Sequence, residues 1–112
     1  MATNLKKSGV TLTPTERRVK NLNKDINGML HILASLKRKP ETETTFFSKR
    51  KCEKQLAQAY HQKLTLMFPK AEALYASCIT ETCSPKALAL MVEYNWIETC
   101  GVARDGEKLY AL

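Results

Sequence analysis

Long apolar stretches are missing from this chain of 112 residues. The longest uninterrupted one, Ala87–Val92, has six residues, whereas a membrane-spanning helix needs about 20. The first thirty residues carry six Lys or Arg side chains and no apolar core segment, so we do not expect them to act as a secretory signal. These absences argue against a membrane-spanning chain and predict a cytoplasmic protein.

Motifs for catalysis are also absent. The glycines are few and scattered, at Gly9, Gly28, Gly101 and Gly106, so none forms a phosphate-binding loop. The chain has two histidines, His31 and His61, and neither an H-E-x-x-H nor a G-x-S-x-G motif. No pair of carboxylates has an obvious acid–base arrangement. We therefore predict that the protein is not an enzyme and uses no cofactor.

The cysteines are Cys52, Cys78, Cys83 and Cys100. Four thiols allow three disulfide pairings, but a reducing compartment favours free thiols. The alternative to free thiols is a zinc site formed by Cys78, Cys83, Cys100 and His61. Zinc ligands usually occur as two pairs that are each close in sequence, and here one such pair exists. We predict no metal, and we expect Cys52, Cys78 and Cys100 to be small core side chains.

Positive charge is present in excess and is unevenly distributed. Eighteen Lys and Arg against eleven Asp and Glu give a net charge of +7. Residues 1–63 contribute +9 and residues 64–112 contribute −2. A field of one sign attracts polyanions and speeds their association. We expect duplex DNA or an acidic protein as the partner, and no membrane; the alternative is that the charge serves solubility alone.

A capping sequence predicts where the first helix begins. Residues 1–12 are polar and basic and are interpreted as a flexible arm. Thr13-Pro14-Thr15-Glu16 is a capping box with proline in the first turn. The helix is predicted to run to about Arg38, because Pro40 disfavours helical geometry in the residue before it. Gly28 in its middle predicts either a close neighbouring backbone or a bend.

An apolar seam follows one face of this helix at alternating spacings of three and four residues. It consists of Val19, Leu22, Ile26, Met29, Leu33 and Leu36, with Leu30 and Ile32 beside it. The spacing predicts a seam buried against the next helix. A coiled-coil dimer is the alternative, so the oligomeric state is a monomer or a homodimer.

A second helix is predicted over residues 46–67. One face carries recurrent apolar side chains, and the other sides carry basic residues interleaved with Gln55, Gln58 and Gln62. Such a surface is typical of a reader of phosphates and base edges, although it equally suits a solvated face. Residues 13–67 are thus expected to form a basic helical hairpin.

The remaining residues, 68–112, differ in pattern. A short helix is predicted over 70–78, with Ala71, Leu74, Tyr75 and Cys78 inward, followed by a turn at 79–82. Ser84-Pro85 opens another helix to about Tyr94, and Asn95 suits a left-handed helix end. The runs 96–102 and 108–112 flank Asp105-Gly106, which favours a β-hairpin. The predicted fold is mainly α with a small C-terminal β-hairpin.

Residues 68–112 resemble a winged helix-turn-helix unit. The most suggestive stretch is Val92-Glu93-Tyr94-Asn95-Trp96-Ile97-Glu98, which is similar to the passage from recognition helix to wing strand in that superfamily. The resemblance implies that the second helix of the motif enters the major groove and that the wing touches the backbone. The residues it places toward DNA are Ser84, Lys86, Ala87 and Ala89, with Arg104 at the tip of the wing.

Two functions follow from these patterns. The first is a small DNA-binding protein, a transcriptional regulator, and the second is an adaptor or inhibitor whose basic face covers an acidic protein, as in small proteins of mobile elements. The residues expected to contact the anionic partner are Arg17, Arg18, Lys20, Lys24, Lys49, Arg50, Lys51, Lys54, Lys86 and Arg104. Joint exposure of Phe46, Phe47 and Trp96 would favour the second function, because protein interfaces use aromatic anchors.

Overall fold

The computed structural model describes residues 12–112; of the expected arm, therefore, only Leu12 lies within the described residues. Four helices and three strands follow one another along that part of the chain. They are α1 (Pro14–Lys37), α2 (Glu43–Met67), β1 (Ala73–Tyr75), α3 (Ala76–Thr82), α4 (Pro85–Glu93), β2 (Glu98–Val102) and β3 (Lys108–Ala111). The mainly helical prediction with a C-terminal hairpin is confirmed.

Helix α1 begins as the capping sequence predicts. The Glu16 N–H donates to Thr13 Oγ1 at 3.1 Å, and the Thr13 N–H donates to Glu16 Oε1 at 3.0 Å. This reciprocal pair satisfies two donors that helix geometry leaves open. Hydrogen bonds to the carboxylate from the Thr13 N–H and, to a lesser extent, the Thr13 hydroxyl lower the pKa of the Glu16 carboxyl. Gly28, by contrast, has open space where a Cβ would lie, with nothing within 4 Å, so the first of the two predicted explanations, a close neighbouring backbone, does not apply.

Helix α2 starts three residues earlier than predicted. Thr42 caps it, because the Thr45 N–H donates to Thr42 Oγ1 at 3.1 Å. In turn, the Thr42 N–H donates to Thr45 Oγ1 at 2.6 Å. Threonine thus fills both positions of a capping box, a pattern that the apolar periodicity alone does not reveal. The helix packs along α1, and the Cys52 thiol donates to the Met29 carbonyl at 3.2 Å.

The segment after α2 corrects the sequence-based prediction. Residues 73–75 are a strand rather than part of a helix, and residues 79–82 belong to α3 rather than to a turn. Helical periodicity is compatible with 70–78, but pairing with β3 satisfies the backbone there instead, which is a tertiary preference. Burial alternates accordingly: Leu74 is buried and Tyr75 is 47% exposed.

The strands form one antiparallel sheet in the order β1-β3-β2. Leu74 lies opposite Tyr110, and Tyr110 lies opposite Thr99 on the other side. The register shifts between Thr99 and Gly101, which makes Cys100 the extra residue of a bulge. Asn95 turns the chain from α4 toward β2 with φ of 64°, as its left-handed preference predicts.

The core lies between α2, α3, α4 and the sheet. Leu56, Leu64, Ile79 and Met91 are its largest fully buried side chains. Helix α1 adds only Ile26 and Leu33 as buried residues, and the rest of its seam is half-buried or exposed. Cys52 is buried as expected, but Cys100 is exposed on β2, so the prediction that Cys100 is a core side chain is wrong.

Candidate nucleic-acid interface

The cations of α1 form an outward stripe. Arg17, Lys20 and Lys24 are all exposed, and their spacing of three and four residues aligns them on one side of the helix. Arg18 points to a different side, where it lines a cleft with Gln62 and Thr65 of α2. Three of the four predicted contacts on α1 are therefore brought together by the helix itself.

A groove between α1 and α2 gathers the glutamines. Gln55, Gln58 and Gln62 line it from α2, and Lys24 and Ile32 line it from α1. Its volume is about 550 Å³. We call this feature the glutamine groove; the exposed Lys51 and Lys54 precede its glutamines along α2.

Two of the predicted contacts are engaged in internal ion pairs. Arg50 Nη1 lies 2.7 Å from Glu93 Oε2 of α4, and its guanidinium lies 5.1 Å from the centre of the Tyr94 ring. Lys49 pairs with Glu41 in the connection between the two long helices. Both side chains have structural partners, so a phosphate would compete with a carboxylate for each of them.

Helix α4 exposes a narrower surface than the resemblance implies. Ala87 is fully buried, so the expectation that it faces DNA is wrong. Its N–H donates to Ser84 Oγ at 2.9 Å, which makes Ser84 the cap of the helix and leaves that side chain half-buried. Lys86 and Ala89 are exposed and are the residues through which this helix can reach a groove.

The hairpin tip between β2 and β3 projects Arg104 into solvent. The Gly106 N–H donates to the Ala103 carbonyl at 2.9 Å, and Gly106 has φ of 88°, a conformation that glycine adopts without strain. Glu107 accepts a hydrogen bond of 2.7 Å from the Ser77 N–H. The tip is thereby tied to the first turn of α3, which fixes the position of Arg104 relative to the helices.

The glutamine side of α2 faces away from the C-terminal unit, residues 73–112. Arg50, Glu53 and Tyr60 of α2 contact α4 or its cap. At 100° per residue, the glutamine side of α2 lies roughly 165° away from the side that these residues occupy. One duplex lying against Lys86 and Arg104 would therefore leave the glutamine groove uncovered.

Sequence reasoning missed two cations, Lys37 and Lys63. Lys63 lines a cleft together with Lys86, and the ammonium groups of Lys37 and Lys86 are close enough that Lys86 lowers the pKa of Lys37. The three lysines come from three different helices. Their proximity depends on how α4 packs against the hairpin, and no local pattern in the sequence signals it.

The three aromatic residues considered as anchors of a protein interface lie in two separate parts of the structure. Phe46 and Phe47 are 47% and 60% exposed, with ring centres 5.7 Å apart in an edge-to-face arrangement. Trp96 is half-buried against His61, with ring centres 5.3 Å apart. Trp96 therefore does not join the phenylalanines, and Phe46 and Phe47 form an exposed aromatic pair at the start of α2.

Two features are absent from the described residues, 12–112. No three His, Cys, Asp or Glu side chains in that range come together so that they could hold a metal ion. No helix in the same range is long and apolar enough to cross a bilayer.

Comparison with family models, with curated proteins and with solved structures finds no match to this chain.

Proposed function

We propose that this protein binds duplex DNA through its C-terminal unit and acts as a small transcriptional regulator. The observation that carries the proposal is the order α2-β1-α3-α4-β2-β3 combined with the strand order β1-β3-β2. This order resembles that of a winged helix-turn-helix, in which α4 would be the recognition helix and the β2–β3 hairpin would be the wing. The third strand, β1, adds to the resemblance seen in the sequence.

The exposed charges support the same orientation. Lys86 lies in the first turn of α4, where recognition helices contact base edges, and Arg104 lies at the tip of the wing. The outward stripe of α1 adds cations that draw the duplex in from a distance. Phosphate contacts would supply most of the affinity, and the exposed Ala89 would supply an apolar base contact.

The primary experiment measures affinity for duplex DNA of mixed sequence as a function of salt. An interface that neutralises about five phosphates gives a log–log slope on the order of −4 to −5. A fluorescence anisotropy titration of the full chain with labelled duplex measures both the affinity and the slope. Absence of binding even at low salt would contradict the proposal.

A matched pair of variants locates the interface. K86E with R104E reverses two cations of the C-terminal unit, and K51E with K54E reverses two cations beside the glutamine groove. Both doubles change the net charge by the same amount, so they alter long-range attraction equally. We expect the first double to weaken binding far more, because its residues lie on the proposed interface. The reverse ranking would move the interface to the helical hairpin.

A second candidate function is supported by the exposed pair Phe46 and Phe47. Adjacent exposed aromatic rings beside cations are typical anchors of a protein interface, and the basic surface would suit an acidic partner protein. In this function the protein is an adaptor or inhibitor. It predicts little binding to random duplex at about 0.15 M salt and a nuclease-resistant complex with one host protein.

Replacing the two phenylalanines separates the candidates. F46A with F47A should abolish a protein complex while leaving duplex binding within about twofold, because alanine removes the aromatic anchor and no charge. M67A is the matched control, since Met67 is 46% exposed and lies at the far end of α2. Loss of duplex binding in the phenylalanine double alone would place these rings at the DNA interface.

A further inference from the structure

A cleft of about 450 Å³ opens between α1, α2 and the start of α4. Its polar lining comprises Asn23 and Asn27 of α1, Tyr60 and Lys63 of α2, and Ser84 and Lys86 at the start of α4. We call it the lysine cleft. Helix α1 is not part of the winged-helix order, so this cleft exists because α1 packs beside that unit.

The lysine cleft differs from its neighbours in charge. Four other clefts within residues 12–112 each have a carboxylate on the wall, from Glu16, Asp25 or Glu98. The lysine cleft has two lysines and no Asp or Glu lining. A cleft lined by ammonium, amide and hydroxyl groups offers hydrogen-bond donors to an anion and no competing carboxylate.

Lys63 and Lys86 line the cleft without a carboxylate to neutralise them. Lys63 is half-buried and lies near the Cys83 thiol, where its charge opposes the increase in thiol pKa caused by burial. Lys86 lines the cleft from α4, and the ammonium group of Lys37, which is not part of the cleft lining, lies close to that of Lys86. The like charges of Lys37 and Lys86 repel one another, and a dianion or phosphodiester bound beside Lys86 would relieve that repulsion.

The neutral donors are positioned by packing. Tyr60 is 7% exposed, and its hydroxyl lies beside Ser84. Ser84 Oγ accepts from the Ala87 N–H, and Pro85 has no N–H, which leaves the Lys86 N–H as the open donor of that turn. Asn23 and Asn27 are four residues apart on α1, so their amides share one side of the helix.

We propose that the lysine cleft binds a backbone phosphate of the duplex, held between Lys63 and Lys86. The inference rests on the proposed function and deepens it, because it makes α1 part of the DNA-binding surface. A phosphate in this cleft lies at the start of α4 and fixes the depth at which that helix enters the groove. Free orthophosphate offers the same chemistry and serves as a probe.

The first arm of the test uses orthophosphate alone. Thermal unfolding of the full chain is compared in phosphate and in chloride of equal ionic strength. Phosphate at about ten times its Kd should raise Tm by roughly 5–10 °C. K63M with K86M should lose this shift, because methionine keeps the apolar stem and removes the charge. K39M with K70M, two exposed lysines outside the cleft, should keep it.

The second arm uses mixed-sequence duplex. K63M with K86M should reduce the magnitude of the log–log salt slope by about 1 and weaken binding roughly five- to tenfold at 0.1 M salt. K39M with K70M removes the same charge and should change the slope by less than half as much. Melting of each variant without phosphate shows that it folds, and K63M with K86M should not melt below the parent protein.

The outcomes separate the inference from the function on which it rests. Duplex binding with an unchanged slope in K63M with K86M would overturn the inference and leave the proposed function standing. A phosphate shift in a protein that binds no duplex would overturn the proposed function and the backbone assignment. Equal phosphate shifts in both doubles would show a general salt effect and would overturn the cleft as an anion site.

Discussion

The N-terminal part of the chain, which includes most of the helical hairpin, and the C-terminal part differ in net charge and in burial. Residues 1–63 carry a balance of +9, and residues 64–112 carry −2. Burial follows the opposite trend: α1 buries two of its 24 residues, whereas α4 buries three of its nine. The comparison teaches that α1, which has five basic and two acidic residues, is the most weakly embedded helix, and that the unit proposed to read DNA carries little net charge.

This division has a physical logic. In the proposed function α4 must be held firmly, because base contacts depend on position, and Ala87, Leu90 and Met91 of α4 are buried in the core. Cations that act through the long-range field need only be exposed and near the duplex. The weak burial of α1 therefore costs stability and leaves electrostatic attraction unaffected.

The largest expected effect tests whether α1 is packed at all. Ile26→Asp places a charge at a side chain that is 5% exposed, and an unpaired buried charge should lower the free energy of unfolding by roughly 3 kcal/mol or more. Ile32→Asp on the same helix is the matched control, because Ile32 is 56% exposed and should cost about 0.5 kcal/mol or less. Urea unfolding measures both; equal losses would mean that the seam is not buried against α2.

The seam shows how far the sequence predicts the fold. Spacings of three and four residues identify the buried side of α1, and the Thr13, Ser84 and Asn95 signals place helix ends correctly, because these are local interactions. Strand β1 escapes prediction, since Leu74 and Tyr75 fit a helix locally and become a strand only by pairing with β3.

The candidate site is less predictable from the sequence than the fold. Exposure of Lys51, Lys86 and Arg104 follows from their polarity, but the engagement of Arg50 by Glu93 depends on residues 43 positions apart. The lysine cleft likewise requires three helices to meet. Tertiary packing decides which cations are free, and periodicity carries no information about it.

The next effect concerns the stability of the weakly buried helix α1. Gly28 is exposed in the interior of the helix, and a Cβ there would meet nothing within 4 Å. Gly28→Ala should therefore raise the free energy of unfolding by about 0.5–1 kcal/mol, since alanine loses less backbone entropy on folding. Gly106→Ala is the contrasting control and should destabilise, because φ is 88° there. A loss of stability in Gly28→Ala would indicate that the glycine permits a contact or a bend.

A smaller effect tests the link between the two regions. Arg50 and Glu93 join α2 to α4, so a double-mutant cycle with Arg50→Met and Glu93→Gln should give a coupling of about 0.5 kcal/mol, as exposed ion pairs do. Arg50→Met alone should cost more than this coupling, because it also removes the contact with the Tyr94 ring. The coupling should shrink in 1 M salt, by charge screening; a coupling indifferent to salt would rule out an ion pair as its source.

The smallest effect is a pH dependence at the junction of α2 with the C-terminal unit. His61 packs on Trp96, its Nε2 is buried without a hydrogen-bond partner, and burial lowers the pKa of its imidazole. As pH falls below about 6.5, the unfolded chain takes up the proton first, so the stability present above that pH is lost as pH falls toward the folded-state pKa. The loss should stay below about 0.5 kcal/mol, since the ring is partly exposed and solvent screens its charge. His61→Phe keeps the aromatic contact and should flatten urea-derived stability between about pH 7 and about pH 5.5, whereas His31→Phe, at an exposed position of α1, should leave the slope in place. An identical slope in His61→Phe and in the parent protein would assign the pH dependence to other groups.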